Sequence, residues 1–158
     1  MPGDYDVLRN VRIFRDLEEP YLASIWKLLS VREIAPRQRI IEEGTPVTEL
    51  CIVTDGTVHV RRLAGKREIL LNRLGPGDFF GEINLFDPGM ATATVVAMKP
   101  TQVAVIAHDA LRAWFESNPA AGYRVVSAFM REMSRRFRMT NSRLASSVYW
   151  KPGATVEG

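Results

Sequence analysis

Residues 74–86 read Leu-Gly-Pro-Gly-Asp-Phe-Phe-Gly-Glu-Ile-Asn-Leu-Phe, and residues 92–97 follow with Thr-Ala-Thr-Val-Val-Ala. Gly81 allows the backbone to approach another group closely, because glycine has no Cβ. Residues 83–85 can form a short helix, whose N-terminal amides and dipole suit a negative charge. The segment therefore predicts a place where backbone donors surround an anion.

Short apolar runs separated by turns occupy the region around this segment. Asp55-Gly56 and residues 64–66 supply turns, and Asp-Gly is a strong hairpin signal. The runs that we interpret as strands cover residues 39–44, 49–53, 57–61 and 68–71. Strands at such close spacing indicate a small β-roll or barrel rather than β-α-β units.

Helical patterns flank the strand region. The first starts at Val11, has Pro20 near its beginning and carries an apolar face made of Leu22, Ile25, Leu28 and Leu29. A short helix is predicted from His108, and Asn118-Pro119 suits the start of a long helix to about Tyr149. These patterns predict a fold class that is mainly β with flanking α, with N-terminal helices and a long C-terminal helix around the roll or barrel.

The 158 residues fit one domain. We assign residues 1–150 to it, with the β-roll over about 31–107, the C-terminal helix over about 119–149, and a flexible tail at 151–158. The net charge of +3 is only mildly basic. The chain lacks a membrane-length apolar run and a signal-peptide pattern, which predicts a cytoplasmic protein without a membrane contact.

Catalytic and metal-binding patterns are absent from the sequence. It has no nucleophile elbow, P-loop or H-E-x-x-H pattern, so we do not expect an enzyme. One cysteine, Cys51, and two histidines argue against a thiolate or imidazole metal site. An iron–sulfur site would need several cysteines.

The long helix carries apolar residues, completed by one threonine, at spacings that alternate between four and three: Val126, Met130, Met133, Phe137, Thr140, Leu144 and Val148. This is close to a heptad seam. It predicts a homodimer through the C-terminal helix, with packing of a single helix on its own roll as the alternative. Five arginines lie beside the seam, Arg131, Arg135, Arg136, Arg138 and Arg143, and contact with DNA through them is a weaker hypothesis.

Taken together, these patterns resemble cyclic-nucleotide-binding domains, the sensor module of catabolite-activator-type regulators and of the regulatory subunit of cyclic-AMP-dependent protein kinase. The likeness extends from about Phe14 to Val148, and it implies a double-stranded β-helix, that is, a jelly-roll-like β-roll of about eight strands. The phosphate-binding cassette of that family reads roughly F-G-E-[LI]-A-L and then P-R-x-A-[TS]-V. Here residues 80–85 read FGEINL and residues 90–95 read MATATV. The motifs I-x-x-E-G at 40–44 and L-x-I-V-x-x-G-x-V at 50–58 add to the resemblance.

The resemblance implies a ligand site made of Phe80, Gly81, Glu82, Ile83, Asn84, Ala91, Thr92, Ala93, Thr140 and Asn141. Glu82 matches the glutamate that accepts a hydrogen bond from the ribose 2′-hydroxyl. Thr92 matches a residue that donates to the phosphate, and the last two lie where the dimer helix reaches the base. The implied effector is cyclic AMP or cyclic GMP, and no other cofactor is expected.

Three positions depart from the family pattern. Ala91 stands where the family has its phosphate-binding arginine, Met90 replaces a proline, and Asn84 replaces a small residue. Another basic residue could reach in, with Arg73, Arg62 and Arg67 as candidates, or burial could hold Glu82 close to neutrality. The pocket could also be closed, with Met90 in the space that the arginine leaves, or it could accept an uncharged compound.

Two functions follow as hypotheses. The first is a stand-alone regulatory module that senses a small effector and signals through its C-terminal helix. The second is a degenerate, ligand-free dimerisation or scaffold domain that lost nucleotide binding with the arginine at position 91. In catabolite-activator-type regulators a helix-turn-helix domain follows the dimer helix. Residues 151–158 are too few for one, so we expect no DNA-binding domain, and the sequence identifies no output partner.

Overall fold

The protein is described here from a computed structural model, which covers residues 4–149. A 3₁₀ helix, Asp4–Asn10, comes first. The α-helices are α1 (Glu19–Trp26), α2 (Ile83–Phe86), α3 (His108–Ser117) and α4 (Pro119–Tyr149). The strands are β1 (Ser30–Ile34), β2 (Arg39–Ile41), β3 (Glu49–Asp55), β4 (Val58–Ala64), β5 (Arg67–Leu74), β6 (Phe79–Phe80), β7 (Thr94–Ala97) and β8 (Thr101–Ala107).

The strands form two four-stranded antiparallel sheets. Their orders are β1-β8-β3-β6 and β2-β7-β4-β5, so strands that are distant in sequence become neighbours. In the first sheet Cys51 pairs with both Val105 and Phe80. This arrangement, with helices on its flank, confirms the predicted β-roll.

Alternation along the central strands creates two apolar cores. Leu50, Ile52 and Phe79 face the helices and pack with residues such as Phe14, Leu22, Trp114 and Phe129. Val53 and Phe80 belong to the other core, inside the roll. Neighbouring residues of a strand point to opposite faces, so one sheet serves both cores. The helices are thereby held against the sheet that carries the cassette.

The N-terminal helix is shorter than predicted. Residues 11–17 form successive tight turns, in which Phe14 N donates to Val11 O at 3.0 Å and Leu17 N to Phe14 O at 3.1 Å. The helix starts only at Glu19, because Pro20 suits a first helical turn and cannot donate inside a longer helix. Leu22 and Ile25 are buried as expected, whereas Leu28 lies beyond α1 and is exposed.

The predicted strand over residues 39–44 was also too long. β2 ends at Ile41, and the chain then turns, with Thr45 N donating to Glu42 O at 3.1 Å. The Thr45 hydroxyl donates to the same carbonyl. A side chain that bonds locally to the backbone competes with a sheet ladder, which explains the early end.

Helix α4 has two different faces. Val125, Ala128 and Phe129 are buried against the roll, whereas Met130 and Phe137 are 59% and 68% exposed. Leu144 continues the exposed stripe. The side chain of Val148 and the predicted tail 151–158 lie outside the described residues. Among the described helices, none is long and apolar enough to cross a membrane.

Candidate functional site

A cavity of about 480 Å³ lies between the cassette, strands β4 and β5, and helix α4. This volume is within the range of small-molecule sites. The predicted site residues that line it are Phe80, Gly81, Glu82, Ile83, Asn84, Ala91, Thr92, Ala93 and Thr140. Asn141 is exposed and is not part of the wall. The fold thus brings the cassette and α4 to one space, and the binding roles of these residues remain predictions.

Gly81 has a geometric reason to be glycine. Its φ of +82° lies in the left-handed region, and a Cβ here would be 2.5 Å from Glu49 O. Its own carbonyl oxygen lies 2.8 Å from Nε2 of buried His108. The backbone therefore turns sharply at this point and leads directly into Glu82 and α2.

The main charge pair of the cavity joins the cassette to α4. Arg136 Nη1 lies 3.1 Å from Glu82 Oε1, and Nη2 donates to Phe79 O at 3.0 Å. The guanidinium also stacks over the Phe79 ring, 4.5 Å from its centroid. Burial raises the pKa of Glu82, while the charge of Arg136 opposes that rise. A cation therefore lies in the cavity beside the acidic residue of the cassette.

The cation that contacts Glu82 is not one of the three arginines that the sequence suggested. Arg62 is 3.6 Å from Glu43, and Arg67 begins β5 at the turn end of the hairpin. Arg73 pairs in register with His59, whose pKa is lowered by burial and by the charges of Arg61 and Arg73. It therefore shares the His59 face of the sheet, although it borders the cavity. In the sequence, Arg136 stands out only as a neighbour of the heptad seam. Its position four residues after Glu132 was the signal available for a charge contact.

One further expectation about the cassette is corrected, and one departure from the family pattern is explained. Met90 does not fill the space beside Ala91, because it is 58% exposed and bridges to Pro46. Asn84 is buried and donates from Nδ2 to Met90 O at 3.2 Å, which braces the loop. The recess is consequently open, and it is lined by Glu82. An open recess argues against the ligand-free scaffold.

Helix α3 holds the cassette from behind. Besides the contact between His108 and Gly81, Arg112 Nη2 donates to Leu85 O at 2.8 Å, at the end of α2. Burial and the charge of Arg112 lower the pKa of His108, while the contact with Gly81 O and the charge of Asp109 act in the opposite direction. The net direction is downward, so neutral His108 is favoured at pH 7.

We expect the stability of the domain to fall as the pH falls through about 6.5, the ordinary pKa of histidine. The folded pKa of His108 is lowered, so the unfolded chain binds more protons and is favoured by acid. Chemical unfolding at pH 8.0 and pH 5.5 measures the difference. His108→Gln, which retains an N–H donor, should reduce that difference.

His59→Gln is the matched control, because the pKa of His59 is also lowered but this residue is only half-buried. It should reduce the pH dependence less than His108→Gln does. Equal pH dependence in His108→Gln and the unmodified protein would contradict the role given to His108.

Comparison with known proteins agrees with this geometry. The profile of the cyclic nucleotide-binding domain family matches residues 31–118. The CRP-like cAMP-activated global transcriptional regulator of Mycobacterium tuberculosis is 31% identical over 145 residues, which cover 91% of this chain and 63% of the regulator. The chain thus spans less than two thirds of the length of that relative.

Two solved structures share the fold. The N-terminal domain of a transcriptional regulator from Streptomyces coelicolor A3(2) is 31% identical, with a TM-score of 0.72 over 88% of this chain and 95% of that domain. The catabolite activator protein of Thermus thermophilus is 25% identical, with a TM-score of 0.75 over 85% of this chain and 62% of that protein. These relatives are regulators rather than enzymes. The chain belongs to the cyclic nucleotide-binding domain family.

Proposed function

We propose that this domain binds cyclic AMP or cyclic GMP in the cavity, and that Arg136 provides the positive charge that Ala91 cannot. The observation that carries the proposal is the contact between Arg136 and Glu82 at 3.1 Å inside an open recess. A nucleotide phosphate needs charged or amide donors, and arginine offers several in a planar fork. In this recess the guanidinium of Arg136 and the backbone of the cassette border the same space.

The chemistry of the lining residues suits the parts of such a ligand. Glu82 can accept a hydrogen bond from the ribose 2′-hydroxyl, and Thr92 can donate to the phosphate. Thr140 on α4 faces the same cavity and can contact the base. Arginines outnumber carboxylates in the lining, with Arg12, Arg73, Arg135, Arg136 and Arg143 against Asp78 and Glu82. That excess favours an anionic ligand over an uncharged one.

Signalling through α4 follows from where the ligand would sit. The cavity wall is shared by the cassette and by residues of α4, and Arg136 connects the two. A ligand that interacts with both gains more binding energy in one position of α4 than in others. Such a differential affinity shifts the conformational equilibrium of the helix.

Calorimetric titration with cyclic AMP and cyclic GMP tests the proposed ligand. We expect saturable binding with one site per chain. Flat traces at millimolar concentrations of both nucleotides would refute nucleotide sensing by this domain.

We also infer that the exposed stripe of α4 pairs with a second copy of the chain. Met130, Phe137 and Leu144 recur every seven residues and are all exposed. A heptad stripe buries this surface in a two-helix seam.

Phe137→Glu would bring two like charges into that seam, so light scattering should change from the mass of two chains to that of one. Ser142→Glu, on the opposite side of α4 and also exposed, should leave the mass unchanged; a monomeric unmodified protein would contradict the dimer.

A further inference from the structure

One buried carboxylate contacts three arginines that line the cavity. Glu132 on α4 is 7% exposed. Arg12 Nη1 donates to its Oε1 at 3.0 Å, and Arg135 Nε donates to its Oε2 at 3.1 Å. Arg136 Nε lies 3.5 Å from Oε1. All three arginines border the cavity, whereas Glu132 lies behind them.

The inner charges of the site are balanced without a ligand. Besides Glu132, the carboxylates in this cluster are Asp78, 3.8 Å from Arg12, and Glu82, beside Arg136. Three arginines therefore face three carboxylates. Burial opposes ionisation of Glu132, but the three arginines more than compensate and lower its pKa. Glu132 therefore carries its charge at neutral pH.

One hydrogen-bond donor of this cluster lacks an acceptor in the part of the chain that the structure describes. Arg136 Nε is buried, yet among the described residues it has no partner within hydrogen-bond geometry. An unsatisfied buried donor is unfavourable. This donor belongs to the guanidinium that also contacts Glu82. The cluster thus retains hydrogen-bonding capacity that a better-placed acceptor could use.

We propose that Glu132 is an internal counter-anion, a positioning residue that holds Arg12, Arg135 and Arg136 at the cavity and limits its affinity for anions. This inference rests on the proposed function in that the ligand is an anion that enters the cavity. Because Glu132 is shielded from water, its charge is poorly screened and opposes an anion on the other side of the arginines. In the ligand-free state Glu132 therefore stabilises the three arginines, and its negative charge lowers the affinity of the domain for an anion.

Glu132→Gln keeps the size and the acceptor oxygen but removes the charge. We expect cyclic AMP to bind about 10- to 20-fold more tightly, the effect of one unit charge at roughly 10 Å in an effective dielectric constant of about 20. The ligand-free variant should melt at a lower temperature, because three arginines then share fewer carboxylates. Added ligand should raise its melting temperature more than that of the unmodified protein.

Glu116→Gln is the matched control, since Glu116 is an exposed residue of α3 away from the cavity. It should change neither affinity nor stability. Combining Glu132→Gln with Arg12→Gln restores the balance of charges, so the Kd should return towards that of the unmodified protein. Arg135→Gln, at a half-exposed residue whose loss the fold tolerates more easily, should weaken binding.

Inorganic sulfate separates this inference from the proposed function. If neither protein binds cyclic AMP but sulfate stabilises Glu132→Gln more than the unmodified protein, the nucleotide proposal fails and the counter-anion role stands. An unchanged or higher Kd for cyclic AMP in Glu132→Gln would overturn the counter-anion role. If that variant does not fold, an unchanged Kd in Arg135→Gln would overturn it equally.

Discussion

Replacing Arg136 by glutamine is expected to weaken cyclic AMP binding by about 30-fold to several-thousand-fold. Truncating one partner of a buried charged pair costs about 2–5 kcal/mol. The effect has two parts, because the ligand loses its cation and Glu82, buried and 3.1 Å away, keeps its acidic group without a counter-charge. Calorimetric Kd values for the variant and the unmodified protein measure the loss.

Arg138→Gln is the control for this experiment. It removes the same charge from the same helix, but Arg138 is exposed and does not border the cavity. We expect less than a twofold change in Kd. A drop in stability of about 3 kcal/mol or more is expected in Arg136→Gln from the unpaired Glu82, so binding is measured below the melting temperature. Equal affinities of the Arg136 and Arg138 variants would contradict the role of Arg136.

Introducing arginine at position 91 should raise the affinity for cyclic AMP by about 30-fold or more. Ala91 borders the open recess, and the exposed side chain of Met90 is not part of the lining. A second guanidinium at the phosphate would add charged, bidentate hydrogen bonds. The increase is measured by titration of the Ala91→Arg variant beside the unmodified protein.

Ala91→Met separates charge from filled volume. Methionine has a similar length without the charge, so it should occupy the recess and weaken binding. If Ala91→Arg binds no better than the unmodified protein, the phosphate does not lie beside position 91. The recess would then hold the ligand in a different orientation.

Local patterns were sufficient for the roll and its cassette. Glycines and short β runs carry the turn and strand information within a few residues, so the fold class was predicted correctly. Boundaries failed where a local interaction competes with the pattern, as at Thr45, whose hydroxyl bonds to Glu42 O and ends β2 early. The same is true of α1, which starts beside Pro20 although the apolar pattern extends further back.

Long-range partners were not accessible from local patterns. Arg136 is 54 residues from Glu82, and Arg12 is 120 residues from Glu132. Candidates close to the cassette in sequence, such as Arg73, were therefore considered, although strand pairing places Arg73 in register with His59. Spacing along α4 showed which residues share a helical face, but not which face packs on the roll.

The sequence by itself determined a β-roll, because glycine positions and strand periodicity act over short distances. The resemblance of residues 80–85 and 90–95 to the family cassette indicated a cyclic-nucleotide-binding domain with an altered cassette. Only the tertiary structure decided that the cassette has a cation, since Arg136 reaches Glu82 only when Val125 and Phe129 pack α4 against the roll. The same packing buries Glu132 behind the arginines. Charge pairs between distant segments depend on how apolar surfaces dock, and that docking is a property of the whole fold.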